Sequence, residues 1–290
     1  MSPDLLSVTL RAAAFVCLFQ AAGAALFLAN FGGPLARSRA PIARLGCAAA
    51  LCGATLILLH QSLEATRMAG EYGGILDAGL QRLAWLSSGG LVHVLQVIGL
   101  LLVAVGLSGA RRPAGHRSSG LAVAGAALAV LAFLLTGHTS VHPLRMLLAP
   151  LLGLHLLIIA FWFGALAPLH LLVRGEPLPV AVRTLQAFSA VAVWLVPLIL
   201  LAGLGLACIM APGIAVLRQP YGQLLAAKLA GFGLLIALAA LNRSRLVPSL
   251  AAGGAPGAGA LRRSLVTEYA LLVAVLAVTA VLTTFYSPDH

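Results

Sequence analysis

Histidine is the residue type whose number and placement in this chain most clearly indicate chemistry. The chain has eight histidines, and five of them lie at or near one set of ends of long apolar segments. Polar side chains are costly at depth in a membrane and usually mark a pathway or a binding site. We therefore expect these five to form an inward path, with His155 about 12 Å from the surface at 1.5 Å per residue. The set is His60, His93, His138, His142 and His155.

Methionines near the same ends add a second kind of ligand, the thioether of Met68, Met146 and Met210. Imidazole and thioether groups suit copper, whereas Mg²⁺ and Ca²⁺ need carboxylates that the corresponding parts of the segments lack. The residues thus predict a copper site in which His93 and His155 are the buried ligands, with His138 next. Because the imidazoles must be neutral, we expect binding to weaken below about pH 6.

The spacing of His138 and His142 allows two arrangements. Residues four apart share one face of a continuous helix. Pro143 follows directly, however, and a helix usually ends before a proline. The sequence therefore favours a helix end at this point, with the two histidines splayed over the mouth of the site.

Two charged residues fall inside apolar segments, Lys228 and Glu268. Their depths leave roughly 10 Å between them along the membrane normal, so a direct salt bridge is not expected. We expect Lys228 to meet carbonyl groups or to extend outward, and Glu268 to pair with Arg243, Arg262 or Arg263. The alternative is a role in ion or proton passage.

The composition defines the elements that must position these residues. Hydrophobic residues make up 61% of the 290, charged residues 9%, and the mean hydropathy is +1.05. Such a chain needs lipid as its solvent and must be an all-α polytopic membrane protein. The net charge of +11 comes from arginines clustered between apolar runs. That pattern is typical of topology signals, so we expect membrane lipid and no nucleic acid as a partner.

Eight apolar runs are long enough to cross a membrane at about 20 residues each. The segment 71–85 is too short and too mixed in polarity to span, and predicts either a short interfacial helix or an ordinary loop. The predicted spans are 5–30, 42–62, 88–109, 119–138, 146–171, 185–210, 220–241 and 264–286.

Arginine placement predicts the orientation of these spans. Twelve of the eighteen Lys and Arg residues fall in four alternate loops, which define the arginine-rich side of the protein. The other loops and both chain ends form the arginine-poor side, toward which the five histidines are placed. The positive-inside rule makes the arginine-rich side cytoplasmic and puts both termini in the periplasm.

An internal similarity relates two of the spans. Residues 89–111 align without gaps with residues 221–243, so that Gly90 matches Gly222 and Arg111 matches Arg243. We therefore expect one transmembrane domain over 1–290, built from two four-helix repeats with halves 1–140 and 141–290.

The second half also carries a series of short blocks in a fixed order. In this order and spacing they resemble the copper resistance D (CopD) family of bacterial inner-membrane proteins. The blocks are TGH (136–138), FWFGAL (161–166), QAFSAVAV (186–193), PYGQLLAAKL (220–229), LNR (241–243) and RRSLVTEYALL (262–272).

The resemblance implies an eight-span protein that helps to move copper across the inner membrane, often with a separate periplasmic copper-binding partner of the CopC type. Its blocks contain His138, Lys228 and Glu268, and His155 heads the span that carries FWFGAL. The other histidines are supported by the residue pattern alone.

The sequence leaves three functions open. The leading hypothesis is import of copper ion from the periplasmic side through the histidines. The second is a b-type haem protein with His93 and His155 as axial ligands. The third is a membrane assembly factor whose histidines are structural. We do not expect an enzyme, because the chain has neither a GxxxxGK[ST] nucleotide loop nor a Ser/His/Asp or paired-carboxylate arrangement.

Overall fold

The computed structural model describes residues 3–109, 116–210, 220–253 and 255–285. Within these ranges the side chains of residues 3, 116–118, 138, 139, 210, 220, 221, 255 and 256 lie outside the description. Among the candidate metal ligands, the side chains of His138 and Met210 are outside this description.

Long helices account for most of the described chain. Seven of the described helices are long and apolar enough to cross a membrane. The predicted fourth span corresponds to a shorter apolar helix, Ser119–Leu135, whose last turn, Ala132–Leu135, is a 3₁₀ helix. The all-α polytopic prediction is thus confirmed. The helices are α1 (Pro3–Phe31), α2 (Arg39–Ala69), α3 (Ala78–Leu86), α4 (Ser88–Gly109), α5 (His116–Leu131), α6 (His138–Val141), α7 (Arg145–Gly175), α8 (Leu178–Met210), α9 (Pro220–Leu241), α10 (Val247–Ala251) and α11 (Ala255–Phe285).

The short segment between α2 and α4 is helical, as one of the two sequence alternatives proposed. A 3₁₀ turn at Tyr72–Leu76 leads into α3, and the Asp77 carboxylate accepts a hydrogen bond from the backbone N–H of Leu80 at 3.0 Å. This is a typical N-cap, which satisfies one of the free donors at the start of a helix. Leu86 of α3 is 76% exposed. The position of α3 at the membrane interface stays a prediction.

The helix end predicted near Pro143 is confirmed. Gly137 has a φ of 82°, a conformation that favours glycine, and the four-residue helix α6 follows it. His142 ends α6 in an extended conformation, and its Nδ1 accepts a hydrogen bond from the backbone N–H of Leu144 at 3.0 Å. His138 and His142 are therefore not part of one long helix.

Helix α1 lies at the centre of the molecule and packs against α2, α5, α7 and α11. It crosses α7 where Gly23 meets Gly164, and a Cβ on either glycine would collide with backbone atoms of the other helix. Small residues allow such close approach between membrane helices. The amide of Gln20 strengthens the crossing by donating to the carbonyl of Gly164 at 3.0 Å.

Helices α8 and α9 lie at the periphery and expose nearly all of their apolar windows. Trp194, Leu201 and Leu234 are between 60% and 76% exposed. Exposed apolar surface of this extent fits contact with lipid chains, which are the expected solvent of this chain.

A buried carboxylate joins two loops on the arginine-rich side. Glu176 follows α7, and its Oε1 accepts hydrogen bonds from the backbone N–H groups of Arg37 and Ser38 and from the Ser38 hydroxyl, at 2.8, 2.7 and 2.7 Å. Burial acts to raise the pKa of Glu176, but the hydrogen bonds from Ser38, Arg37 and Ala36 outweigh it, and the pKa is lowered. Glu176 therefore holds the α1–α2 loop against the α7–α8 loop as an ionised group.

Each half of the chain forms its own group of neighbouring helices. In the first, α1 contacts α2, α4 and α5; in the second, α7 contacts α8 and α11, and α11 contacts α9. The groups meet mainly where α1 packs on α7 and α11. The repeat halves 1–140 and 141–290 and the orientation in the membrane stay predictions.

Candidate metal site

A polar cavity of about 240 Å³ opens among α1, α2 and α4 on the arginine-poor side. Its floor is apolar, with Leu18 and Ile57, and Phe133 and Thr136 from the end of the fourth apolar segment close one wall. The polar groups and the thioether that line it are Arg11, His60, Gln61, Glu64, Arg67, Met68, Ser87, His93 and Gln96.

Two of the predicted histidines meet in this cavity. His60 of α2 and His93 of α4 have ring centroids 5.4 Å apart, with the rings nearly perpendicular at 83°. His60 is 4% exposed, and its Nε2 lies 3.1 Å from the Ser7 hydroxyl and 3.7 Å from the Glu64 carboxylate. His60 thus lies between a second imidazole and a carboxylate, each of which it meets as a separate pair.

The amide of Gln61 determines the tautomer of His93. Gln61 Nε2 donates to the carbonyl of Ala84 at 2.9 Å, so its Oε1 is the atom that faces His93 Nδ1. An amide oxygen only accepts, so Nδ1 of His93 must carry the proton. The lone pair of Nε2 is then free for a ligand, which is how a second group orients a metal-binding histidine.

Charged side chains surround the histidine pair. Arg67 donates to Asp4 at 3.2 Å and to both oxygens of Glu64 at 3.1 and 3.2 Å, which ties the start of α1 to the end of α2. Arg11 lies over the Phe15 ring, with its guanidinium carbon 5.6 Å from the ring centroid. Arg11 also interacts electrostatically with Glu64 and with both histidines. The carboxylates offset the charge of Arg67 more fully than that of Arg11.

His155 lies elsewhere, in the second half of the chain. Its Nδ1 donates to the carbonyl of Ile199 in α8 at 3.2 Å, and its ring packs beside Gly203. Lys228 of α9 is close enough to act on His155 electrostatically. His93 and His155 therefore do not line one cavity, contrary to what an inward path or an axial pair would need.

The remaining predicted ligands do not join the pair within the described side chains. His142 is held by the Leu144 backbone, and Met146 is 83% exposed. Of the candidate methionines, Met68 lines the cavity and Met146 does not. The side chains of His138 and Met210 lie outside the described residues. Among the side chains that are described, no three His, Cys, Asp or Glu converge as a metal site would require.

The prediction that Glu268 pairs with an arginine is wrong. Its carboxylate accepts a hydrogen bond from the Asn242 amide, whereas Arg243 donates to the carbonyl and the hydroxyl of Ser189 at 2.9 and 3.0 Å. These two hydrogen bonds to Ser189 hold the guanidinium of Arg243 against α8. Lys228 and Glu268 form no salt bridge in the described part of the chain.

Several residues that line the cavity carry little signal in the sequence. Glu64 lies four residues after His60, and Gln96 lies three residues after His93, so each shares a helix face with that histidine. Gln61 directly follows His60 on α2. A search for uncharged polar groups one helical turn from each histidine would have found Gln96. Ser7 carries no such signal, because its contact with His60 depends on how α1 and α2 pack.

Comparisons with known proteins agree with the resemblance found in the sequence. The family model described as CopD, copper resistance protein D, matches residues 182–282. A protein of Pseudomonas syringae pv. tomato, named copper resistance protein D, is 31% identical over 307 aligned positions, which cover 99% of this chain and 98% of that protein. No solved structure matches the chain.

Proposed function

The chain belongs to the copper resistance D family of bacterial multi-pass membrane proteins, and on this basis we propose that it carries copper across the membrane through the cavity between His60 and His93. The observation that supports this most directly is the network Ala84–Gln61–His93. It leaves one imidazole nitrogen of His93 unprotonated beside a second, buried imidazole.

The chemistry and size of the pair suit one copper ion. Imidazole is a good copper ligand, and the thioether of Met68 lines the same cavity. Two imidazole nitrogens bound to one metal ion at about 2 Å each lie roughly 3.3 Å apart in a tetrahedral arrangement and roughly 4 Å apart in a linear one. Ring centroids 5.4 Å apart allow this after modest side-chain rotation. The donors His60, His93 and Met68 therefore fit copper as the transported ion.

The cavity lies on the arginine-poor side, which the positive-inside rule makes periplasmic. We therefore propose import, with copper delivered from the periplasm by a separate chain of the CopC type. The Arg67, Glu64 and Asp4 network would lie at the mouth that such a partner meets.

Arg11 gives the site a means of release. A transport site must bind tightly enough to load and weakly enough to unload. A positive charge about 10 Å away opposes a cation by on the order of 1–2 kcal/mol at an effective dielectric constant of about 20. Arg11 therefore keeps copper binding in the cavity moderate.

A haem function receives less support from the geometry. The two histidines that would be its axial ligands lie in different places. His93 lines the cavity among α1, α2 and α4, whereas His155 lies where α7 contacts α8. Lys228 beside His155 also disfavours a cation there. No contact of the described residues favours an assembly factor over a transporter.

Copper binding and uptake by the variant His93→Ala test the proposal. We expect purified protein to bind one copper ion, and His93→Ala and His60→Ala to lose it and to lose copper uptake into proteoliposomes. His142→Ala is the matched control, because His142 accepts a hydrogen bond from Leu144 of its own turn and does not line the cavity. Full binding and uptake by both cavity variants would contradict the proposed function.

A further inference from the structure

A second cavity of about 270 Å³ lies on the arginine-rich side among α7, α8, α9 and α11. Most of its lining is apolar, including Trp162, Leu166 and Phe188. Glu268 lines it from α11, and Asn242 lines it from the turn that follows α9. The cavity is separate from the histidine cavity, and the copper proposal makes no use of it.

Glu268 is 2% exposed and forms no salt bridge with the described residues. The basic group that lines the same cavity is Arg243, and its guanidinium is bound by Ser189 of α8. The described lining residues of α7 and α8 carry no titratable group that faces Glu268. An ionised carboxylate in such a place is expensive, both because it is buried and because it lies within a membrane span.

The partner of Glu268 is an amide with one free acceptor. Asn242 is 8% exposed; its Nδ2 donates to Glu268, and its Oδ1 has no hydrogen-bond partner. A neutral carboxylic acid has an O–H donor, which a carboxylate lacks. A proton on Glu268 would therefore both remove the buried charge and supply the donor that Asn242 Oδ1 needs.

The backbone at Asn242 is also unusual. Residues Asn242–Leu246 form a π-helical turn between α9 and α10. Such turns insert one residue into a helix and occur frequently at functional sites. Here the turn places Asn242 in the cavity and lets the next residue, Arg243, reach α8.

We propose that Glu268 and Asn242 form a proton-binding site on the arginine-rich side, occupied by a proton at neutral pH and emptied when copper passes through the protein. Carboxyl and amide oxygens are hard donors that suit copper poorly, so the ligand of this site is the proton and not the metal. In the emptied state the proton leaves Glu268 Oε for water and the carboxylate keeps the electron pair. The coupling to copper rests on the proposed transport function, whereas the proton site itself does not.

Infrared spectroscopy of the purified protein at pH 7 tests the site without transport. We expect a carbonyl stretching band of a protonated carboxylic acid that Glu268→Gln removes and Asn242→Val shifts. Glu176→Gln is the matched control, because Glu176 is also buried but is bound by N–H donors that favour the ion. Glu268→Gln is close in shape to the neutral acid and should fold. The absence of a band that depends on Glu268 would overturn the proposal.

Proteoliposomes that contain a pH-sensitive dye test the coupling. Added copper should move protons in the wild type, and Glu268→Gln should bind copper with unchanged affinity but give no proton signal. Copper uptake by the wild type without proton movement would overturn the coupling. If the infrared band is present and the wild type moves no copper, the transport proposal fails and the proton site stands.

Discussion

The side-chain amide of Gln61 controls the chemistry of the histidine beside it. It is fixed by the Ala84 carbonyl and in turn keeps the proton of His93 on Nδ1. Groups that orient a metal-binding histidine in this way are often as important as the ligand itself.

Removal of this amide should weaken copper binding while both histidines remain. We expect Gln61→Leu to lower copper affinity by roughly 10- to 100-fold, because His93 would lose its fixed tautomer and orientation. Competition with a copper chelator measures the change. Gln81→Leu is the control, since Gln81 donates to the carbonyls of Ser62 and Ile75 outside the cavity. Equal affinity of Gln61→Leu and wild type would show that Gln61 does not orient His93.

At the residue scale, the sequence predicted part of the site. His60 and His93 were expected on the arginine-poor side, and the structure places them together. His155 and Met146 are not among the residues that line this cavity, because depth in a membrane does not specify which face of a helix a residue occupies. Their roles as copper ligands stay predictions. Asn242 belongs to the family block LNR (241–243). Its hydrogen bond to Glu268 depends on the π-helical turn, for which the sequence has no clear signal.

At the scale of elements, the crossing of α1 and α7 depends on the absence of side chains. A Cβ at Gly23 would collide with the backbone of Ala160 and Gly164. We expect Gly23→Ala to destabilise the protein by about 1–3 kcal/mol through overpacking, measured by unfolding in detergent. Gly120→Ala on α5 is the control, where a Cβ meets nothing within 4 Å and helix propensity favours alanine by up to about 1 kcal/mol. Equal losses in the two variants would contradict the role of the crossing.

The Glu176 contact predicts a dependence of stability on pH. The pKa of Glu176 is lowered in the folded protein, so its contribution is present above the pKa of the unfolded chain and is lost as pH falls through the folded value. We expect Glu176→Gln to be less stable than wild type by about 1–3 kcal/mol at pH 7, with the difference shrinking on acidification.

Thermal unfolding in detergent at pH 7 and at acidic pH measures the effect. Glu71→Gln is a suitable control because Glu71 is an exposed residue. A difference between Glu176→Gln and wild type that stays constant over the whole pH range would show that the ionised form of Glu176 is not what stabilises the loops.

The elements themselves were largely predictable. Each predicted span overlaps a helix, because the length of an apolar run determines whether it can cross a membrane. Helix ends differ by several residues: α2 begins at Arg39 and ends at Ala69, past the predicted span 42–62. The extension is polar, since Glu64 and Arg67 continue the helix beyond the apolar run, and hydropathy alone cannot detect it.

At the scale of the whole molecule, the arginine pattern predicts that both chain ends face the periplasm. Alkaline phosphatase is active only after export, so we expect active fusions at His290 and after Gly70, and inactive fusions after Gly109 and after Gly175. Green fluorescent protein fusions at the same positions should show the opposite pattern. An active phosphatase fusion after Gly109 would reverse the predicted orientation and with it the proposed import.

The close meeting of Gly23 and Gly164 has a consequence for how the protein is made. Helix α1 leaves the ribosome before α7, and the two crossing glycines are about 140 residues apart, which takes roughly 7–28 s at 5–20 residues per second. During that interval the small-residue face of α1 is without its permanent neighbour. The crossing can therefore form only after more than half of the chain has been made.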